Sequence, residues 1–479
     1  AQYHVYYYLG KDFAIISSEL SSFCRLLGTT EFNEKWLYEY IYFNFPLGKD
    51  TFLKNINILS HASILTYNIK SKKKNIKKYA DVFQKREPLL NGSEALNYAK
   101  DIFADRIPIY FEGSEKIACA ITGGWDGRTN VALSPDKTKI TTYTYGGKNC
   151  ADLVLARLAS KDANVKHLEM FFDNNVINDL PAQMLETVYL TSGAQGILRS
   201  TLLKVYKKLS EFPLVIVGNH YDGLFRGNVG GVSLVSKGVA NVMKNGMNAI
   251  ETESFKGVFN NNFEDFVDVI KSKFNYVESE FGDLQSTEAQ INYGNYIMSS
   301  RYFGGEYKIA ELFTTLRVPA WDSHLIDLAF SIEQSTLTFS EYKINKRGAR
   351  ETMLLQAYLI SQFAPELLKT PIKLTNPNVV LKGNLDFKTY SYYRKIINKF
   401  KNSFYRNHKT LENWNSWLNV THKNFVDNLI FSKNSLIQEY FTEKYLNNLK
   451  IERDYRIIGK LLTTEIILKL INNKWQRFW

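Results

Sequence analysis

Short apolar runs alternate with helix-like segments through the middle of the chain. The apolar runs, which predict strands, cover residues 117–121, 140–145, 165–172 and 214–217. Helical spacing of apolar residues is found at residues 150–159, 176–190 and 198–209. This alternation is typical of a parallel sheet covered by helices on both faces. The pattern therefore predicts an α/β fold for this part of the chain.

The N-terminal part has a different pattern. Residues 4–9 and 13–17 are apolar runs separated by a Gly10-Lys11 turn, which predicts a β-hairpin. Residues 52–69 suggest further strands, so we expect residues 1–82 to form a small, mostly β domain. The connector that follows, residues 83–115, contains a predicted helix at residues 93–103.

The C-terminal part is helical in period from about residue 252 onward, with few strand signals. The clearest predicted helices cover residues 321–333, 347–363 and 455–479. A boundary between two helical regions near residues 376–384 is left open.

A glycine pair follows the first of the central strands. The sequence TGGWDGRTN at residues 122–130 joins that strand to a helix-like segment. Two glycines let the backbone approach an anion, and the helix start presents free N–H groups. Asp126 would repel a phosphate, but it could hold a Mg²⁺ ion that bridges phosphate oxygens. Arg128 and Thr122 could add side-chain donors to the same anion. The plainer alternative is a strand-to-helix turn that needs only small residues.

These residues resemble a known signature. The sequence TGGWD at residues 122–126 is similar to the SGGxDS pyrophosphate loop of the N-type ATP pyrophosphatases, and most similar to that of asparagine synthetases. Relatives of that family include β-lactam synthetases and lasso-peptide cyclases. Further segments follow in matching order: YTYGG at 143–147, VGNHYDGLFRG at 217–227, which resembles SGEGSDExFGG, RVPAWD at 317–322, and the stretch 347–373 that ends in a lysine.

The resemblance extends to the N-terminal part, because residues 4–81 look like the second half of the family's glutaminase domain. It implies two regions, a partial β-rich, Ntn glutaminase-like domain (1–82) and an adenine-nucleotide α-hydrolase-like synthetase domain (83–375). Charge and helical period predict that residues 376–479 form a basic helical region after them. The family's glutaminase nucleophile is an N-terminal cysteine, whereas this chain begins with Ala1. We therefore carry over no glutaminase residue. We expect either that an upstream segment is missing or that the protein takes an amine directly.

The implied reaction is ATP-dependent amide formation. A substrate carboxylate is adenylated with release of pyrophosphate, and ammonia or an amine then displaces AMP; ATP and Mg²⁺ are the implied cofactors. Asp126 and Asp222 each follow a predicted strand, so both could meet at one sheet edge and share the metal. The implied nucleotide-binding residues are Thr122, Gly123, Gly124, Asp126, Gly127, Arg128, Tyr145, Gly146 and Gly218. The catalytic candidates are Lys373, Asp222 and His220, with Lys369 as the alternative to Lys373.

Several positions depart from the family pattern. Gly127 replaces a serine, so one phosphate-contacting hydroxyl is lost, and Arg128 could compensate. Asn219 and Gly223 replace acids, which puts aspartate in doubt as the substrate. His220 stands where glycine is usual, and could narrow the pocket or titrate near neutral pH. A base for an incoming amine is also needed, for which Glu306, Tyr302 and His220 are candidates.

Composition narrows the functional classes. The chain has 479 residues, 45% hydrophobic and 23% charged, which is a globular composition. The net charge is +12, and residues 369–479 hold 20 Lys and Arg against eight Asp and Glu. No nucleic-acid motif accompanies this charge, so nucleic acid is not the expected partner. The three cysteines are too few and too far apart for a disulfide framework or a zinc site.

The sequence leaves the substrates open. No apolar stretch is long enough to span a membrane and no signal peptide is visible, so a cytoplasmic enzyme is expected. The carboxylate could belong to a small molecule, a peptide or an acidic sugar, and the oligomeric state is undetermined. Two alternatives remain: a tRNA-modifying ATP pyrophosphatase, and a degenerate, non-catalytic family member that acts by binding.

Overall fold

A computed structural model describes residues 4–80, 89–148, 150–226, 236–246, 250, 252–333, 353–372, 377–381 and 412–479. The strands in chain order are β1 (Tyr6–Leu9), β2 (Ala14–Ser17), β3 (Asn57–Ile58), β4 (Ser63–Tyr67), β5 (Lys74–Lys78), β6 (Ile117–Ala120), β7 (Ile140–Gly146), β8 (Lys166–Phe171), β9 (Leu214–Ile216) and β10 (Thr315–Arg317).

Helices α1 to α10 are Leu20–Leu26, Glu34–Phe43, Gly92–Arg106, Asp126–Ala132, Ala151–Asp162, Asn174–Asn178, Leu180–Leu190, Leu202–Leu209, Tyr221–Arg226 and Lys237–Asn245. Helices α11 to α20 are Phe263–Phe281, Thr287–Tyr296, Gly304–Glu311, Ser323–Ala329, Leu354–Phe363, Pro377–Leu381, Trp414–Ser416, Lys423–Ile430, Glu443–Glu452 and Tyr455–Asn472.

A five-stranded parallel sheet forms the centre of the fold, in the order β10-β9-β6-β7-β8. Strand β6 is the middle strand, and alternate residues of it point to opposite faces. Cys119 packs in the core beneath α3, α4 and α15, whereas Ala118 packs in the core beneath α8 and α13. Helices therefore cover both faces, and the predicted α/β fold with a parallel sheet is confirmed.

The predicted N-terminal hairpin is also confirmed. Strands β1 and β2 pair antiparallel, and the Gly10 N–H donates to the Phe13 carbonyl at 2.9 Å. The expectation of a mostly β region is wrong in one respect, because α1 and α2 lie within it. The α2 sequence is rich in aromatic residues that favour strands, but Trp36, Leu37 and Ile41 fall on one helical face and are buried there.

One core joins segments from all three predicted regions. Phe23 and Leu37 from the N-terminal part pack in the same cluster as Phe274 of α11 and Leu462 of α20. The described parts of residues 1–82, 83–375 and 376–479 thus all contribute to this cluster, whereas the central sheet packs in two other clusters. Within the described ranges, none of the helices has the length and apolar character needed to cross a membrane.

Candidate functional site

The candidate site lies at the topological switch point of the parallel sheet, where successive strands stop being added on one side of β6 and continue on the other. From β6 the chain continues to β7 and β8 on one side, while β9 and β10 lie on the other. The loops that leave β6 and β9 therefore diverge at one point of the carboxyl edge, which is where open α/β sheets bind ligands. Strands β6 and β9 are direct neighbours, with Ile117 opposite Leu214. The sequence TGGWD at residues 122–126 occupies the first loop, and Gly218 lies in the second.

The two loops touch through Gly218. A Cβ atom at this position would lie 2.8 Å from the carbonyl carbon of Asp126 and 2.9 Å from the backbone nitrogen of Gly127. Only glycine fits without displacement of one loop. The structure thus brings together two of the predicted nucleotide-binding segments, which are about 90 residues apart in the chain.

Gly127 is required by a second close approach. A Cβ atom here would lie 2.3 Å from the Ala120 carbonyl oxygen at the end of β6. The family's serine cannot be accommodated on this backbone, so the lost hydroxyl follows from how tightly α4 packs on β6.

The glycine pair itself is held by side chains from both of its flanks. The Gly123 N–H donates to Oδ1 of Asp152 at 3.2 Å, and the Gly124 N–H donates to Oγ1 of Thr122 at 3.2 Å. Asp152 is the second residue of α5, and sequence reasoning assigned it no contact with this loop. Its carboxylate accepts a hydrogen bond from the Gly123 N–H, which a bound anion would also need. An anion bound by this loop would therefore have to replace Asp152 as the acceptor.

Asp126 is the first residue of α4 and is half-buried. Its Oδ1 accepts a hydrogen bond from Nε2 of Gln356 at 3.0 Å, and the same amide donates to Thr129 at 3.3 Å. Gln356 is fully buried on α15, more than 200 residues away in sequence. Sequence reasoning predicted that helix but missed this orienting residue, because an amide within an apolar helix gives no signal of its partner.

Asp222 lies in the first turn of α9, directly after the β9 loop. It is close enough to His220 to oppose the fall of that imidazole's pKa. Asp126 likewise acts on the neighbouring Tyr221, whose pKa is raised by burial first and by this carboxylate second. Asp126 therefore lies beside the segment 218–222 that carries Asp222, at the carboxyl edge of the sheet.

The two aspartates are too few to hold a metal ion by protein side chains alone. In the described part of the chain, no group of three or more His, Cys, Asp or Glu side chains could hold a metal ion. Mg²⁺ is commonly held by one or two carboxylates together with water and substrate phosphates. Asp126 and Asp222 are the carboxylates predicted to hold Mg²⁺ in this way. The shared ion stays a prediction that depends on bound phosphate.

His220 has a backbone that glycine would adopt more easily. Its φ is +81°, in the left-handed region that favours glycine. The ring is buried against Phe303 and Trp321, with centroid distances of 5.1 and 4.8 Å. Its Nε2 lies 2.6 Å from the Tyr307 hydroxyl.

Burial also sets the charge of His220. It lowers the pKa of the imidazole to about 3, and the nearby Asp222 only partly opposes this. The expectation that His220 titrates near neutral pH is therefore wrong. A neutral imidazole with so low a pKa is also a weak base at pH 7. This argues against His220 as the base for the incoming amine.

Arg128 does not face the glycine loop. Its side chain is fully buried and donates to three backbone carbonyls, those of Leu367 at 3.2 Å, Thr370 at 2.6 Å and Pro371 at 2.8 Å. Burial lowers its pKa to about 10. The prediction that Arg128 contacts phosphate is therefore wrong. Arg128 instead holds the segment 367–371 against α4.

The predicted lysines lie on or beyond that segment. Lys369 is exposed and follows Leu368 at the end of a short helical turn. Lys373 lies outside the described residues. Arg128 thus anchors the backbone that leads to the predicted catalytic lysine.

The remaining candidates lie at the end of β7 and around Arg199. Tyr145 and Gly146 end β7 at the same sheet edge, and Gly146 has a positive φ of 148°. Glu306 is buried, forms an ion pair with Arg199 and accepts from the Tyr206 hydroxyl at 3.3 Å, so it is already neutralised. Tyr302 lies under the Arg199 guanidinium, whose central carbon is 5.5 Å from its ring centre.

Comparison with known proteins adds no identification. No known family model matches the sequence. A search of curated proteins likewise found no similar one.

Proposed function

We propose that this chain is an ATP-dependent amide-forming ligase of the asparagine synthetase type. One observation carries the proposal. The glycine-bearing loops after β6 and β9 touch at the point where the order of successive strands across the sheet reverses, and each loop is followed by an aspartate at a helix start. In this proposal the sheet is adenine-nucleotide α-hydrolase-like, and residues 1–82 are a partial Ntn glutaminase-like domain.

The proposed reaction has two steps. A carboxylate oxygen of the substrate attacks the α-phosphorus of ATP, the bond to the β-phosphate oxygen breaks, and pyrophosphate leaves. Ammonia or an amine then attacks the acyl carbon, AMP leaves, and the nitrogen loses a proton to solvent or a base. Magnesium, when bound, would neutralise charge on the phosphate oxygens.

The residues of this chain have separate parts in the proposal. The backbone of Gly123 and Gly124 would bind the pyrophosphate portion, with the N–H groups at the α4 start. Asp126, oriented by Gln356, and Asp222 would hold the metal. Lys373 or Lys369, on the segment anchored by Arg128, would stabilise the negative charge that grows on the α-phosphate.

The proposal is tested by ATP–pyrophosphate exchange with a panel of carboxylates, including amino acids, peptides and sugar acids. The Asp126→Asn variant keeps the side-chain shape and removes the charge, so exchange should fall about a hundredfold or more. The control is Asp101→Asn, which changes an exposed aspartate on α3. If Asp126→Asn exchanges pyrophosphate as fast as the wild-type protein, the role of Asp126 is wrong.

A second candidate is nucleotide binding without catalysis. Gly223 stands where the family it resembles has an acid, and a Cβ atom there would lie 2.5 Å from Oδ1 of Asn295, so an acid at this position would require the Asn295 side chain to move. Asn219 replaces another acid and lies 3.4 Å from the Tyr307 hydroxyl. Calorimetric binding of ATP without exchange or AMP release, for every carboxylate and amine offered, would favour this candidate over the ligase.

A further inference from the structure

A cavity of about 470 Å³ lies between the N-terminal part, the loop at residues 193–199 and helix α20. Its walls include Trp36 and Tyr40 of α2, Arg301, and Lys460 of α20. Neither residues 121–127 nor residues 217–222, all of them described, belong to its lining. The cavity is therefore distinct from the two glycine-bearing loops, although Tyr302, one of the candidate bases, is among its lining residues.

The lining carries more positive than negative side chains. Its Arg and Lys residues are Arg199, Arg301, Lys308, Arg456 and Lys460, and its acids are Asp50 and Glu412. Both acids are already engaged: Asp50 pairs with Lys273, and Glu412 accepts from Thr201 at 2.6 Å and from Trp414 at 3.0 Å. Asp50 is thus already paired, whereas Glu412 keeps its charge and acts on Arg199, which leaves an excess of basic side chains in the lining.

Two of the basic residues have their own carboxylate partners. Arg199 pairs with Glu306, and Lys308 lies 2.9 Å from Glu19. Arg301, Arg456 and Lys460 form no ion pair with any acid in the part of the chain that the structure describes. Arg301 donates instead to the Gly48 carbonyl, and Lys460 donates to the Ile41 carbonyl at 2.5 Å.

At the same cavity lie several buried polar atoms that have no hydrogen-bond partner among the described residues. They are Nε2 of His4, Oε1 of Gln195, Nε of Arg199 and Nε of Arg301, all from lining residues. Buried polar groups are normally hydrogen-bonded, so such a cluster indicates a missing partner. Two of these atoms are guanidinium donors, which suit an oxyanion.

Aromatic rings form part of the wall. Trp36 and Tyr40 stack with their ring centres 4.8 Å apart, and Trp414 closes another side. Sites of this size with an apolar wall and a few convergent polar groups commonly bind small molecules.

We propose that this cavity binds a small molecule that carries an oxyanion, either a carboxylate or a phosphate, on an aromatic or apolar body. Arg301 and Lys460 contact the anion, Arg456 attracts it at the exposed rim, and Trp36 and Tyr40 pack against the body. No lining residue belongs to the nucleotide loops, so this binding does not require a nucleotide to be bound.

The test uses three probes of similar shape: phenylacetate, phenyl phosphate and the phenethylammonium cation. Each is titrated against the full chain by saturation-transfer NMR. We expect at least one anion to bind and the cation not to bind. Binding of phenylacetate alone, or of phenyl phosphate alone, identifies the carboxylate or the phosphate form of the ligand. Equal binding of cation and anions, or binding of neither anion, overturns the proposal.

Variants then locate the bound probe. Burial lowers the pKa of Lys460 to about 7, so the titration is run at about pH 6, where the ammonium form prevails. There Lys460→Gln removes a charged donor and should weaken anion binding about tenfold or more, whereas the exposed Lys444→Gln should leave it unchanged. If Lys460→Gln does not fold, as judged by circular dichroism, the exposed Arg456→Gln provides the test. It should weaken binding in a way that fades as salt is raised. Unchanged affinity in the folded variants contradicts the assignment.

The nucleotide site is excluded by two further measurements. Probe binding should persist in Asp126→Asn and in the presence of ATP and Mg²⁺. If ATP displaces the probe, the probe occupies the nucleotide loops and the cavity proposal is wrong. If the ligase proposal fails but the probe still binds in a Lys460-dependent way, this inference stands alone.

Discussion

Substitution of Gly218 by alanine tests how closely the two loops of the candidate site are packed. The added Cβ atom would lie 2.8 Å from the Asp126 carbonyl carbon and 2.9 Å from the Asp126 Cβ, whereas ordinary contacts begin near 3.4 Å. One loop must therefore move by at least 0.6 Å, because these neighbours are backbone or Cβ atoms that cannot rotate away.

The expected magnitude follows from that displacement. Overpacking of this kind costs about 1–3 kcal/mol in the free energy of unfolding. Displacement of a positioned group by about 1 Å can lower a rate about a hundredfold. Because the shift falls on Asp126 and Gly127 directly, ATP affinity and pyrophosphate exchange should fall together with stability.

The assay compares Gly218→Ala with Gly28→Ala. A Cβ atom added at Gly28 would have no other atom within 4 Å, so this substitution should leave stability and exchange unchanged. Urea unfolding gives the difference in free energy, and calorimetry gives the ATP affinity. If Gly218→Ala is as stable as Gly28→Ala and binds ATP as tightly as the wild-type protein, the described contact between the loops is refuted.

Two further predictions concern buried titratable side chains. Arg128→Met keeps the stem but leaves the Leu367, Thr370 and Pro371 carbonyls without their donor, so unfolding free energy should fall by about 3 kcal/mol or more relative to the exposed Arg25→Met. Normal stability with weakened ATP binding would instead support the discarded phosphate contact. For His220, the unfolded chain takes up a proton near pH 6.5 but the folded chain only near pH 3, so its stabilising contribution is lost as pH falls below about 6.5. Between pH 7.5 and 5 the unfolding free energy of the wild-type protein should therefore drop by about 2 kcal/mol more than that of His220→Asn, and an equal drop in both would contradict the buried neutral imidazole.

Local patterns account for the parts of the fold that the sequence predicted well. Strands β6, β7 and β9 are short apolar runs that end at glycine or polar residues, so pattern and structure agree within a few residues. The strand-end rule also placed Asp126 and Asp222 at one edge of the sheet. Strand β10 was missed, because three residues with an arginine at the end carry no strand pattern.

Long-range contacts account for the errors. Arg128 in a glycine-rich turn suggested an anion contact, but its partners are carbonyls about 240 residues later. His220 was expected to titrate because nothing in the local sequence shows that Phe303, Tyr307 and Trp321 enclose it. Partners of this kind are decided by tertiary packing, which local periodicity does not encode.

The measurement that addresses the central claim most directly is a crystal structure with Mn²⁺ and a non-hydrolysable ATP analogue. The account predicts an anomalous peak bound by the carboxylates of Asp126 and Asp222, with the phosphates over the backbone of Gly123 and Gly124. The Gly123 N–H should then have left Asp152 for a phosphate oxygen. A metal and nucleotide bound elsewhere, with the hydrogen bond from Gly123 to Asp152 intact, would contradict it.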